Sequence, residues 1–241
     1  MTYITRRSLL LMGSAAALAL GGLAMAQTTT PAPDAPAAAP APAAPAPDAA
    51  AAAPAAPEVT VPSDPKEALA MPSPLGDMVE GNPDAKVTII EYASATCPHC
   101  AEFATNEYKK LKTEYIDTGK VKYIFREFPL DDVALAAQMM TRCLPKEKYF
   151  PLVDVIFAQQ GEWIKSPLEG LKAIGKQAGM SEDAFMACLK NETVAKGIMT
   201  TRAAGAKAGV QGVPALFING EAFTEERTIE KLREKIDPLL K

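Results

Sequence analysis

The segment Cys97-Pro98-His99-Cys100 places two thiols close together at the point where a helical pattern begins. An apolar, strand-like segment, residues 87–92, ends shortly before the first cysteine. A helix start offers unpaired backbone N–H groups and the positive end of the helix dipole, and both favour an anionic sulfur. Because the thiolate is the reactive form of cysteine, this placement predicts thiol-disulfide exchange at Cys97 and Cys100.

Two other uses of a C-x-x-C motif fit the composition poorly. A zinc site needs four protein ligands, or three and a water, but the one histidine of the chain, His99, lies inside the motif. Cys143 and Cys188 are not spaced as a second chelating pair. A cysteine hydrolase needs a histidine base from elsewhere in the fold. We therefore expect neither a metal site nor a hydrolase.

The elements around the dithiol follow a strand, helix, strand order. Residues 87–92 are apolar on both faces, as in a central strand covered by helices. A helix is predicted over residues 98–115 and a second strand over residues 121–128. The inward face of the helix would carry Phe103, Leu111 and Tyr115. This order predicts a parallel pair of strands with a right-handed crossover.

The rest of the chain is first helical and then returns to strands. We expect four or five helices from residue 131 to about residue 208, with breaks at Pro145, Gly161, Pro167, Gly179 and Asn191. Strands over residues 215–218 and 221–224 flank Asn219-Gly220, a strong hairpin signal, and a helix over residues 228–239 follows. Strands on both sides of a helical run predict one α/β domain over residues 75–241 with a helical insertion at about residues 130–208.

These elements and motifs together resemble the DsbA-like thiol:disulfide oxidoreductases of the thioredoxin superfamily. The resemblance rests on Glu91 six residues before Cys97, on the Cys-Pro-His-Cys motif, on the helical insertion and on Gly212-Val213-Pro214 before a strand. It covers about residues 75–241. It implies a thioredoxin-like fold with an inserted helical domain, and an enzyme that introduces disulfides into exported proteins.

The resemblance also implies a role for each residue of the site. Cys97 would attack and form the mixed disulfide with a client protein, and Cys100 would resolve it. His99, when protonated, would place a positive charge beside the Cys97 sulfur. Val213 and Pro214 would form a cis-proline loop that faces the dithiol and binds an extended client peptide through its backbone.

Glu91 has two interpretations. It lies in a strand that is predicted to be buried, where a carboxylate is unfavourable unless it is paired or protonated. It is either a structural acid paired with a nearby lysine or, as the family position implies, a proton donor and acceptor for Cys100 during exchange.

The second cysteine pair also has two interpretations. Cys143 follows Met139 by four residues and Cys188 follows Phe185 by three, so both lie on apolar helix faces. They are either buried free thiols or a structural disulfide that ties the insertion together. An oxidising compartment favours the disulfide, and some DsbA-like proteins carry a second disulfide in this domain.

The N-terminal region predicts export. Arg6 and Arg7 precede an apolar run, and residues 24–26 (Ala-Met-Ala) are typical of a cleavage site, so residues 1–26 are predicted to be a signal peptide. An uncleaved signal would instead anchor the chain to the membrane. Residues 27–74 are rich in alanine and proline and are predicted to form a disordered linker. We therefore expect a periplasmic protein that is exported by either the general or the twin-arginine route.

The charge of the chain excludes one class of partner. The formal net charge is −4, and removal of the two arginines in the signal makes it −6, so nucleic-acid binding has no electrostatic basis. The expected partners are reduced or unfolded exported proteins and, as the resemblance implies, a DsbB-like membrane quinone reductase for reoxidation. We expect a monomer, because residues 28–62 lack heptads, and no cofactor. The alternatives are a disulfide isomerase or reductase, and a tethered chaperone or metal-delivery domain.

Overall fold

A five-stranded mixed sheet forms the centre of the protein in the computed structural model, which describes residues 59–241. The strands are β1 (Met78–Gly81), β2 (Val87–Ala93), β3 (Val121–Glu127), β4 (Ala215–Ile218) and β5 (Glu221–Phe223), in the spatial order β1-β3-β2-β4-β5. The predicted signal peptide, residues 1–26, and residues 27–58 of the predicted linker lie outside the described residues.

β2 occupies the middle of the sheet because both of its faces are apolar. Every residue of β2 except Thr88 is buried. It pairs in parallel with β3, from Val87 opposite Val121 to Ala93 opposite Glu127, which confirms the predicted parallel pair. β1 pairs antiparallel with β3, and the sequence pattern does not predict it, because a four-residue strand is too short to show a clear alternation.

The predicted hairpin joins β4 and β5 at Asn219-Gly220. The φ angles of these residues are +49° and +86°, in the left-handed region that a two-residue hairpin turn requires. The Asn219 side chain also accepts a hydrogen bond of 2.8 Å from the Thr88 N–H. The turn is therefore attached to β2 as well as to its own strands, and β4 pairs antiparallel with β2.

The helical run that follows the dithiol alternates between α-helical and π-helical turns. Its segments are α2 (Pro98–Glu102), a π-helical turn (Phe103–Glu107), α3 (Tyr108–Leu111) and a second π-helical turn (Lys112–Ile116). The wider turns rotate later side chains away from the positions of a uniform helix. The buried side chains include Phe103, Leu111 and Tyr115, as predicted, and also Tyr108.

The helical insertion contains six α-helices rather than the predicted four or five. They are α4 (Asp132–Arg142), α5 (Tyr149–Ala158), α6 (Gln160–Trp163), α7 (Pro167–Gln177), α8 (Glu182–Leu189) and α9 (Glu192–Lys207). The additional helix arises because the chain leaves helical geometry at Gln159, so that Gly161 lies inside α6 rather than at a break. The insertion has its own apolar core, which includes Met140, Leu152, Ile156, Leu171, Ile174 and Phe185.

Order in the described residues begins before the predicted boundary at Leu75. α1 (Pro65–Ala70) lies within the segment predicted to be a disordered linker, and that prediction is wrong for this stretch. The physical reason is a buried arginine of β3. Arg126 donates a hydrogen bond of 2.7 Å to the Leu69 carbonyl and also pairs with Asp77, so α1 is attached to the sheet.

The last helix, α10 (Ile229–Leu240), packs on the sheet. Its first turns bury Ile229, Leu232 and Ile236 in the same apolar core as the dithiol helix. Within residues 59–241, no helix combines the length and the apolar character that crossing a membrane requires.

Candidate active site

The two thiols occupy unequal positions at the start of α2. Cys97 is the residue that precedes the first helical position, and Pro98 fills that position, where its missing N–H removes no helical hydrogen bond. Cys97 is 7% exposed and Cys100 is fully buried, and both thiols are free. Of the two, Cys97 is the one with surface that a thiol from another protein could contact.

The tertiary structure places Cys97 against the loop that precedes β4. The peptide bond between Val213 and Pro214 is cis. The Val213 carbonyl accepts a hydrogen bond from the Cys97 sulfur at 3.4 Å, between residues 116 positions apart. A peptide bound to Cys97 would therefore lie beside the backbone of Val213.

A cleft of about 540 Å³ opens beside these residues. Its lining is partly apolar, from Phe103, Val213 and Pro214. Charged side chains, including those of Glu102 and Arg227, line the rest. This mixture suits an extended polypeptide, which presents backbone, apolar and charged groups together.

His99 lies at the surface of the site. Its side chain is 79% exposed, and its Nδ1 atom is 3.6 Å from a carboxylate oxygen of Glu102. The sequence predicts a positive charge beside Cys97 when His99 is protonated. The nearby carboxylate of Glu102 offsets part of that charge, and solvent weakens the interaction of such an exposed pair.

Glu91 is buried in the centre of the sheet and is 2% exposed. The Tyr123 hydroxyl, on the neighbouring strand β3, donates a hydrogen bond to its carboxylate. In the part of the chain that the structure describes, the partner of Glu91 is thus a tyrosine and not a lysine. Burial raises the pKa of Glu91 from its ordinary 4.5 to about 7, and the Tyr123 hydrogen bond acts in the opposite direction. Near neutral pH, Glu91 can therefore both donate and accept a proton.

Burial also raises the pKa of the Cys100 thiol. A backbone hydrogen bond from Ser94 lowers it, whereas the charges of Glu91 and Cys97 raise it further. Cys100 therefore needs a proton whenever its sulfur leaves a disulfide at neutral pH. Glu91 is the carboxyl group whose charge acts on that sulfur.

No three or more His, Cys, Asp or Glu side chains within residues 59–241 are grouped closely enough to hold a metal ion. Cys97 and Cys100 are the free thiols of this region, and His99 faces Glu102. The geometry of the dithiol is that of a redox pair beside a peptide-sized cleft.

Two buried glutamines of the insertion, neither of them predicted from the sequence, hold the segment that leads to Cys97. The Gln138 side-chain amide donates to the Ala93 carbonyl at 2.8 Å. The Gln160 amide donates to the carbonyls of Ala95, at 2.8 Å, and Cys97, at 3.0 Å. These three carbonyls belong to the end of β2 and to the turn that follows it, so the amides hold the path of the chain from β2 to Cys97. The local sequence offers no signal for contacts between residues so far apart.

Gln160→Leu should lower the free energy of unfolding by about 2 kcal/mol, because the buried Ala95 carbonyl loses its hydrogen-bond donor. The Cys97 carbonyl keeps a second donor, the Ala101 N–H at 3.2 Å. Denaturant unfolding followed by circular dichroism measures the loss. Gln177→Leu, at an exposed position of α7, is the matched control and should change stability little. Equal stabilities of the two variants would contradict the assigned role of Gln160.

Cys143 and Cys188 are joined in a disulfide, with their Cα atoms 6.0 Å apart. The bond connects the end of α4 to α8, and 45 positions separate the two cysteines in the sequence. Of the two interpretations of this pair, the structure confirms the structural disulfide and not the buried free thiols. Its position among the helices makes it a cross-link within the insertion, remote in sequence from the dithiol.

Comparison with solved structures relates this geometry to known proteins. The crystal structure of alpha-DsbA1 from Wolbachia pipientis is 32% identical in sequence, with a TM-score of 0.61, over 68% of this chain and 90% of that chain. BdbD from Bacillus subtilis shares the fold, with 22% identity and a TM-score of 0.61, over 70% of this chain and 95% of that one.

Sequence comparison gives the same relationship. A Rickettsia bellii protein with the provisional name protein-disulfide oxidoreductase is 35% identical over 165 residues, which are 67% of this chain and 63% of that protein. Disulfide bond formation protein D of Bacillus subtilis is 25% identical over 179 residues, 70% of this chain and 80% of that protein. The chain thus spans less than two thirds of the Rickettsia relative. A family model described as Thioredoxin matches residues 73–238, and the chain belongs to the thioredoxin superfamily as a DsbA-like protein.

Proposed function

We propose that this protein is a periplasmic thiol:disulfide oxidoreductase that introduces disulfides into exported proteins through Cys97 and Cys100. The observation that carries the proposal is the unequal placement of the two sulfurs. Cys97 is partly accessible beside the Val213 carbonyl, whereas Cys100 is buried and feels the charge of Glu91. Membership of the DsbA-like group and the disulfide-related names of the relatives support it.

The first step begins with the oxidised pair. A client thiolate attacks the Cys97 sulfur, the bond between Cys97 and Cys100 breaks, and a mixed disulfide forms between Cys97 and the client. The Cys100 sulfur leaves with the electron pair. Glu91, in its acid form, supplies the proton that this buried sulfur requires.

The second step releases the oxidised client. The second thiolate of the client attacks the client sulfur of the mixed disulfide, and Cys97 leaves as a thiolate at a helix start that favours the anion. The client loses two electrons and two thiol protons. The redox pair gains both electrons, and Cys100 carries the proton that Glu91 gave up. Both client protons therefore pass to solvent, and Glu91 is left ionised.

The proposed cycle needs a partner that returns the pair to the disulfide. A DsbB-like membrane quinone reductase would accept the two electrons, and Glu91, in the ionised form that is also present near neutral pH, would take the proton from Cys100. The predicted signal peptide, residues 1–26, would deliver the chain to the periplasm. We propose a monomer that acts on reduced or unfolded exported proteins, which fit the extended cleft beside Val213.

Reduced and scrambled ribonuclease, each incubated with the oxidised protein, test this proposal. The expected result is rapid formation of disulfides in the reduced client. Alkylation of the remaining thiols and mass measurement detect it. The scrambled client should regain little activity. Cys97→Ser is the matched control and should not support oxidation, because it cannot form the mixed disulfide. Efficient unscrambling without net oxidation would instead identify an isomerase.

A further inference from the structure

The proton chemistry of Glu91 raises a question that depends on the proposed function. Each oxidation of a client would transfer the proton of Glu91 to Cys100. Glu91 is 2% exposed, so the carboxylate left behind has almost no direct contact with solvent. A buried carboxylate is unstable until it regains a proton. Before the pair is reoxidised, Glu91 can regain a proton only through other groups that connect it to water.

The groups around Glu91 form two hydrogen-bonded pairs. The Tyr123 hydroxyl donates to Glu91, and the Tyr108 hydroxyl, from α3, donates to Glu80 of β1. The centroids of the two tyrosine rings are 5.0 Å apart. The two pairs thus lie side by side beneath the redox centre.

A small cavity borders Glu91 and both tyrosines. Its volume is about 10 Å³, at the lower limit of what can hold one water molecule. Glu91, Tyr108, Tyr123 and Asp154 line it, so it offers the polar partners that a water needs. A water in this cavity would contact both Tyr108 and Tyr123, which line it.

The second pair continues towards the surface. Glu80 accepts a hydrogen bond of 3.0 Å from the Lys112 ammonium group, which also contacts Asp117 at 2.8 Å. The side chains of Glu80 and Lys112 are 18% and 32% exposed. Polar groups thus extend without a large gap from Glu91 to solvent.

We propose that Tyr123, Tyr108 and Glu80 form a proton relay that recharges Glu91 from solvent after each exchange. A proton from solvent reaches Glu80. The Tyr108 hydroxyl, which donates to Glu80 in the structure, must then turn its O–H towards the cavity. It accepts the proton from Glu80 and passes its own proton through the cavity to Tyr123. Tyr123 passes its proton to the Glu91 carboxylate. One proton enters and one arrives, no electron moves, and neither tyrosine becomes an anion.

The other titratable groups around Glu91 are not part of the proposed relay. Cys100, from α2, is the destination of the proton and not its source. Asp154, from α5, lines the cavity, but no hydrogen bond links it to either tyrosine. Lys109 and Lys112 act on Asp154 only through their charge. Asp154 is the competing entry point, and the experiment includes it.

The variant Tyr108→Phe tests the relay, because it removes the hydroxyl and keeps the buried ring. Single-turnover reduction of the full chain by glutathione, stopped by acid and alkylation, gives the rate. At about pH 5.5 most of the protein carries the Glu91 proton before reaction, so the variant should match the unsubstituted protein. At about pH 8 it should be slower by about tenfold, with a larger solvent isotope effect in D₂O.

The matched control is Tyr115→Phe. Tyr115 lies in the same helical run and donates to Asp237 at 2.7 Å, away from Glu91. This variant should keep the unsubstituted rate at both pH values. Glu91→Gln combined with Tyr108→Phe should be no slower than Glu91→Gln alone, because the relay acts only through Glu91.

Three results would overturn the relay. The first is equal rates for Tyr108→Phe and Tyr115→Phe at about pH 8. The second is a double variant whose loss of rate is the sum of the losses of its two single variants. The third is slowing by Asp154→Asn when Tyr108→Phe does not slow the reaction. The ribonuclease assay separates these outcomes from failure of the proposed function. If the unsubstituted protein oxidises reduced ribonuclease and Tyr108→Phe is unimpaired, the proposed function stands and the relay is wrong. If the unsubstituted protein does not oxidise reduced ribonuclease, the proposed function itself is wrong.

Discussion

Glu91→Gln should stabilise the folded protein by about 3 kcal/mol at about pH 8 and change its stability little at about pH 4. Burial raises the pKa of Glu91 from 4.5 to about 7, so the folded state opposes ionisation. Below pH 4.5 the carboxyl is neutral in both the folded and the unfolded chain. As the pH rises towards 7 and beyond, the unfolded chain loses the proton more readily, and stability falls.

The same variant should slow disulfide exchange by about a hundredfold, because glutamine accepts the Tyr123 hydrogen bond but cannot supply a proton to Cys100. Urea unfolding at the two pH values and the ribonuclease assay measure the two effects. Glu192→Gln, whose side chain is 83% exposed, is the control and should show neither effect. A gain in stability that is the same at both pH values would show that Glu91 is not held in a raised-pKa environment.

Reduction of the Cys143–Cys188 disulfide should lower the free energy of unfolding by about 4 kcal/mol. The bond closes a loop of 46 residues, counted from a sequence separation of 45 and including both ends. In the chain-entropy account, such a bond restricts the unfolded chain far more than the folded one.

The variant Cys97→Ala/Cys100→Ala makes this measurement specific. The chain contains four cysteines, so the Cys143–Cys188 bond is the one target for a reductant in this variant. Urea unfolding with and without dithiothreitol then compares chains of identical side-chain composition. Loss of about 4 kcal/mol is the expected result, and coincident unfolding curves would contradict a stabilising role. Alkylation before and after reduction confirms that the bond was present.

Local sequence patterns were sufficient for much of the fold. The apolar run of β2, the helix behind Pro98 and the turn at Asn219-Gly220 each follow from spacing or backbone preference within a few residues. Where the pattern was short, prediction failed. β1 has four residues, and α6 is separated from α5 only by Gln159.

For the site, the sequence by itself determined that Cys97 and Cys100 meet at a helix start, since the motif and its flanking elements are local. Only the tertiary structure decided which groups surround them. Val213 reaches Cys97 across 116 positions, and Gln160 reaches the Ala95 carbonyl across 65. Tyr123 lies beside Glu91, where one of the two interpretations placed a lysine. The physical reason is that burial and pairing depend on how the sheet and the insertion pack, and no local pattern carries that information.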